Sequence, residues 1–221
     1  MFNRSIVIVL VVALAAGLGL LAGRHLFSGS TAEAAPALST VRLLPEARPV
    51  PDFQLMQADG TPLERADLLG HWTVVFLGFT HCPDVCPTTL AQLKLAQNQW
   101  ASLPADSRPQ VLFVSVDPGR DTPESTGRYA HHFHPDTLAA TGDVEALQSF
   151  ATSLGMVFLK VAPPEGAPAD QYSVDHSSTL VILDPQGRMA GLLRPPLEPE
   201  AIAADLQALT AAGGGFPPSR E

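Results

Sequence analysis

Two cysteines and one distant histidine are the residues whose types and spacing could do chemistry in this chain. Cys82 and Cys86 stand in the run Phe79-Thr80-His81-Cys82-Pro83-Asp84-Val85-Cys86-Pro87, and the sequence has no other cysteine. Residues four apart in a regular helix hold their Cβ atoms about 5 to 6 Å apart, too far for a relaxed disulfide. With Pro87 as the first helical residue, Cys86 falls at the cap and Cys82 in the preceding loop, where the backbone can close the pair. A redox disulfide between Cys82 and Cys86 and a two-thiolate metal clamp are then both open. Amides at the start of that helix would favour thiolate and lower the pKa of Cys86.

Two thiolates need a third ligand, and His176 in Tyr172-Ser173-Val174-Asp175-His176-Ser177-Ser178 is the candidate, in a loop just before a short apolar run. A set of Cys82, Cys86 and His176 is soft enough for Cu(I), which tolerates three ligands, and can hold Cu(II) with an added weak one. A structural zinc site would want four protein ligands. Copper, as Cu(I) and/or Cu(II), is the metal expected.

Other polar residues read as supporting. His81 adjoins Cys82, but neighbours in extended chain face opposite ways. His131, His132 and His134 cluster before Pro135 and suit a helix C-terminus better than a second metal. Asp84, between the thiols, is expected to face solvent, while for Asp117 and Asp175 capping turns or orienting loops and acting at the metal are both open.

These residues need a frame. Residues 73–79 (TVVFLGF) and 111–116 (VLFVSV) are short β-branched and aromatic runs, each followed by turn residues and a helical stretch, which implies a parallel sheet with crossover helices. Helices are expected over residues 87–103, where Leu90, Leu93, Ala96, Gln97 and Trp100 share a face, and from Thr122-Pro123. Two more are expected over residues 143–154 and 199–211. Residues 179–183 and 189–193 flank the turn Asp184-Pro185-Gln186-Gly187 as a hairpin. The order β-α-β-α-α-β-β-α, with the cysteines where the first main strand meets its helix, is that of an α/β thioredoxin-like central sheet with flanking helices.

The chain has 221 residues, 46% apolar and 16% charged, enough for one full core and too apolar for wholesale disorder. Its 13 basic and 22 acidic residues give a formal charge of -9, which argues against binding nucleic acid. Residues 6–23 form an uncharged apolar run of 18, flanked by Arg4 and by Arg24 and His25. At about 1.5 Å per residue it spans roughly 27 Å, close to the bilayer's hydrocarbon thickness. Residues 1–24 are therefore expected to be one transmembrane helix and membrane anchor, with Ala32-Glu33-Ala34 offering the alternative of a cleaved signal. A flexible tether at 25–50, a copper-binding domain at 51–212 and a loose tail at 213–221 complete the expected organisation. The simplest location is the bacterial inner membrane, with the soluble domain in the periplasm.

Three motifs together resemble the Sco/SenC family of membrane-anchored copper chaperones for cytochrome c oxidase assembly. They are Cys-x-x-x-Cys-Pro (Cys82, Cys86, Pro87), Asp-Pro-x-Arg-Asp-Thr-Pro over residues 117–123, and Asp-His-Ser (Asp175, His176, Ser177), in order and at sensible separations. The resemblance implies that Cys82, Cys86 and His176 bind copper. It also implies that the protein helps metallate the CuA centre of cytochrome c oxidase subunit II, by copper transfer, by reducing that subunit's cysteines, or by both. Such a protein is an assembly factor rather than a turnover enzyme, with periplasmic copper donor proteins as further partners and an accessory thiol-disulfide reductase activity open to it.

Three rivals fit less well. A thioredoxin-type thiol-disulfide oxidoreductase usually has two residues between its cysteines and a proline before the later strand; three intervene here, and His176-Ser177-Ser178-Thr179 has no proline. A peroxiredoxin-like peroxidase wants a threonine three residues before the reactive cysteine, where Pro83 stands relative to Cys86. A zinc-stabilised binding module would lack its fourth ligand.

Overall fold

The computed structural model describes Ile8, residues 13–17 and residues 37–213. The chain divides into two units, Met1–Ala34 and Ala35–Glu221. In the first, Ile8 and residues 13–17 are helical, and most of the expected anchor lies outside the described residues, as do residues 214–221 of the expected tail. Among the described residues no helix is long and apolar enough to cross a membrane.

In the second unit the elements follow as β1 (Arg42–Pro49), β2 (Gln54–Gln57), β3 (Pro62–Glu64), β4 (Thr73–Gly78), α1 (Val85–Trp100), β5 (Gln110–Ser115) and α2 (Pro123–Phe133). Then come β6 (Leu138–Thr141), α3 (Val144–Ser153), β7 (Phe158–Val161), β8 (Ser173–His176), β9 (Leu180–Leu183), β10 (Arg188–Leu193) and α4 (Pro199–Ala211). Eight strands form one sheet in the order β1-β10-β9-β4-β5-β6-β2-β3, while β7 and β8 pair as a separate ribbon. Every residue of β4 is buried, as expected of a central strand covered on both faces.

The expected parallel strands joined by crossover helices are present, and with the expected hairpin they make a mixed sheet. Among the described residues only β4–β5 and β5–β6 run parallel; β9 lies antiparallel to β4, and β10 and β1 continue antiparallel beyond it. The expected hairpin is β9 and β10. Part of the expected tether is also sheet: Arg42 pairs with Leu192 and Pro49 with Arg188. With Pro45 and Pro49 inside it and a register shift between Leu43 and Arg48, β1 is viable because it lies at the sheet edge.

Two of the helices start at a capping side chain. Thr122 accepts from the Ser125 amide at the head of α2, and Asp143 accepts from the Ala146 amide at the head of α3. Gly155, at φ +65°, turns the chain out after α3. The buried face of α1 carries Leu90, Leu93, Ala96, Gln97 and Trp100, and α1 packs against α4. Near the head of the domain the buried carboxylate of Asp205, on α4, accepts from the backbone amides of Ser39, Thr40 and Val41 at 2.8 to 3.1 Å.

Candidate metal centre

The cysteines lie where β4 ends and α1 begins, at the carboxyl edge of the parallel strands, where open α/β sheets present their ligands. The helix begins two residues earlier than expected, at Val85, so Cys86 sits in its first turn rather than at the cap. Cys82 remains in the loop. Asp84, the N-cap residue, is exposed and makes no side-chain cap bond. Cys82 Sγ takes that place, accepting from the Cys86 amide at 3.3 Å and satisfying a donor the helix cannot.

Cys86 is fully buried, at 0% exposure. Burial pushes its thiol well above the ordinary cysteine range, and the neighbouring Cys82 sulfur and Asp121 carboxylate push the same way against an opposing backbone contact at Phe79. The expected lowering by the helix amides is thus overturned, because desolvation of the sulfur is the larger effect. Room for that sulfur comes from Gly78 at the end of β4, where a Cβ would lie 2.9 Å from Cys86 Sγ.

His176 is the last residue of β8 rather than part of a loop, and it pairs with Phe158 of β7. Its ring meets Phe76 and Phe79 edge-on at centroid distances of 6.0 and 6.1 Å. Burial holds its pKa below the usual histidine range, with the Ser177 carbonyl and Asp175 opposing. His176 Nδ1 lies 3.1 Å from the Ser177 carbonyl oxygen, which can only accept, so Nδ1 carries the proton. The lone pair is left on Nε2, 3.5 Å from Cys86 Sγ. A backbone carbonyl fixing one ring nitrogen while the other faces the ligand position is the usual support of a metal-binding histidine.

The donor atoms of Cys82, Cys86 and His176 all lie within 4.8 Å of one another, and among the described residues this is the one such cluster. Around a shared ion with bonds of about 2.3 Å to sulfur, two sulfurs in a planar three-ligand site would stand roughly 4 Å apart. Two sulfurs and one neutral imidazole therefore fit a soft ion with little movement.

A family model described as SCO1/SenC matches residues 42–211. The chain belongs to the SCO1/SenC family. A protein of Stutzerimonas stutzeri named for copper binding is 35% identical over 166 residues, covering 74% of this chain and 78% of that one. The solution structures of apo Sco1 from Thermus thermophilus match with a TM-score of 0.67 at 38% identity, over 78% of this chain and 98% of that one. ScoI from Bradyrhizobium japonicum, solved with copper bound, matches with a TM-score of 0.63 at 33% identity, over 71% and 96%. The chain spans 50% of the length of the mitochondrial SCO2 homologue of Bos taurus, to which it is 38% identical. The Sco fold thus accounts for the α/β domain and its mixed sheet.

The remaining candidates stay outside the cluster. Thr80 and His81 occupy the centre of a turn closed by the Cys82 amide on the Phe79 carbonyl. The Thr80 hydroxyl donates to Asp121, so His81 Nδ1, 3.1 Å from Thr80 Oγ1, is the donor in that contact. His131 and His132 lie in the last turn of α2 as expected, and His134 caps its end, with Nδ1 accepting from the Asp136 amide at 3.2 Å. Asp117 grips Arg120 and Tyr172, and Asp175 is exposed. Gly78 and Phe76 are neighbours of the site that sequence reasoning passed over, and Phe79, Arg120 and Tyr172 stood in the motif runs without an assigned role; a glycine ending an otherwise bulky strand beside a cysteine motif was the available signal for the first.

Proposed function

We propose that this Sco protein is a copper chaperone that binds one copper through Cys82 Sγ, Cys86 Sγ and His176 Nε2. The observation that supports the reading most is the convergence of two sulfurs and one lone-pair-bearing nitrogen within 4.8 Å. Copper is the cargo. Cys86 lies at the buried side of the site, Cys82 is half-buried, and His176 closes it from β8. Three soft donors favour Cu(I) over zinc, which would seek a fourth protein ligand.

The family resemblance supplies the destination, the CuA centre of cytochrome c oxidase subunit II, with periplasmic copper donors upstream. Residues 1–24 would anchor the chain in the bacterial inner membrane and the stretch up to β1 would tether the domain in the periplasm, in keeping with the apolar run at 6–23. The same two sulfurs favour a second role. As thiols, Cys82 and Cys86 can reduce a disulfide on the partner by exchange: the partner gains two electrons and two protons, and Cys82 and Cys86 become a disulfide.

Copper titration of the full chain in detergent, beside Cys82→Ser, Cys86→Ser and His176→Ala, tests the binding reading. One equivalent should bind, with each substitution lowering affinity. Wild-type affinity and stoichiometry in His176→Ala would refute the three-ligand site. Rapid, copper-independent peroxide consumption with a thiol donor would favour a peroxidase instead.

A further inference from the structure

His176 reaches the cysteines from β8, which belongs to the two-stranded ribbon rather than to the main sheet. Beyond its pairing with β7, something must hold that strand's entry. Tyr172, immediately before β8, is buried, and its hydroxyl donates to Asp117 Oδ1 at 2.6 Å. Arg120 Nε donates to the other oxygen of Asp117 at 2.6 Å, and its Nη1 donates to the carbonyls of Tyr172 and Asp170 at 3.0 and 3.2 Å. The guanidinium carbon lies 3.7 Å from the centre of the Tyr172 ring and 5.8 Å from that of Phe79. Nη2 is buried without a hydrogen bond, which fits a guanidinium engaged through its face. Lys160, on β7, places Nζ 3.5 Å from the centre of the same tyrosine ring. Two cations this close to one ring must take opposite faces, so Tyr172 is clamped between β7 and the loop before α2.

One arginine therefore ties together the loop before α2, the backbone entering β8 and, through Phe79, the ring that packs on His176. We propose that Arg120 is a positioning residue for the metal centre: by gripping Tyr172 and its carbonyl it holds β8 so that His176 Nε2 faces Cys82 and Cys86. This rests on the three-ligand reading above. Release of the grip frees the strand entry, and the site falls back to its two sulfurs, which are held independently by β4 and α1.

The test is a double-mutant cycle for Cu(I) affinity on the full chain, with X-ray absorption reporting the nitrogen ligand. Arg120→Ala should weaken binding by about tenfold or more and remove the nitrogen scatterer. In the His176→Ala background the same change should weaken binding no further, because the ligand it positions is already gone. Unchanged affinity in Arg120→Ala, or an equal loss in both backgrounds, overturns the proposal. Should Arg120→Ala fail to fold, Arg120→Lys, which keeps the charge but lacks the planar fork that joins Asp117 to the Tyr172 and Asp170 carbonyls, decides by the same criteria. If His176→Ala itself binds as wild type does, it is the three-ligand reading that falls.

Discussion

A Cβ on Gly78 would stand 2.9 Å from Cys86 Sγ and 2.7 Å from Cε2 of Phe113. Neither contact is tolerable, and neither neighbour is the loose end of a flexible chain: the sulfur is fixed by the first turn of α1 and the ring by β5. Gly78→Ala is expected to destabilise the domain by about 1–3 kcal/mol and to weaken copper binding by displacing Cys86. Denaturant unfolding and a copper titration measure the two effects. Full copper affinity in this variant would show that the close packing behind the sulfur is irrelevant to the centre.

Burial pushes the Cys86 thiol up, so copper bound as proposed would have to displace its proton. Apparent affinity is expected to rise with pH by up to roughly tenfold per unit for each proton released. Competition against a chelator at about pH 6 and about pH 8, corrected for the chelator's own titration, reads the slope. A flat profile would mean that Cys86 is already thiolate or is not a ligand.

Asp205 governs the acid limit. Its burial opposes ionisation, but the amides of Val41, Ser39 and Thr40 outweigh that and hold its pKa below the usual carboxylate range. A carboxylate with a depressed folded pKa stabilises fully above its unfolded value, about 3.9, and the contribution is lost as pH falls through the folded value. Asp205→Asn should cost about 1–3 kcal/mol at neutral pH, and the gap to wild type should narrow on acidification below about pH 4. Urea unfolding across that range decides it; a gap independent of pH would assign the loss to geometry rather than charge.

The same contacts predict where the domain can be cut. A fragment beginning at residue 37 keeps β1 and the amides that bind Asp205, whereas one beginning at residue 51 strips β10 of its edge partner and leaves that buried carboxylate without its backbone donors. The shorter fragment should unfold at a markedly lower temperature than the longer. Equal thermal stability would show that residues 37–50 contribute nothing to the fold.

Much of this architecture was legible along the chain. The starts of α2 and α3 follow from Thr122 and Asp143, the span 199–211 of α4 is as expected, and β9 and β10 flank their turn. The three residues that converge were also legible as candidates, since cysteines four apart and an Asp-His-Ser element are chemical statements whatever the fold around them. Caps, turns and apolar periods are written in neighbouring residues, and the types of metal donor in single ones.

What only the tertiary structure decided depends on partners far away in sequence. Residues 42–49, with two prolines, read as coil because nothing local says that β10 will pair with them. The small residues of β6 become strand through the neighbouring β5. Cys86 was expected to ionise easily, but the sign of its shift follows from how deeply packing buries it, which no spacing reveals. That His176 turns its lone pair toward Cys86 is set by the Ser177 carbonyl and by a strand whose entry Arg120 grips from the loop before α2. Sequence carries the identity of the candidate donors; only the folded chain decides their burial, tautomer and separation, because those depend on groups brought together across the fold.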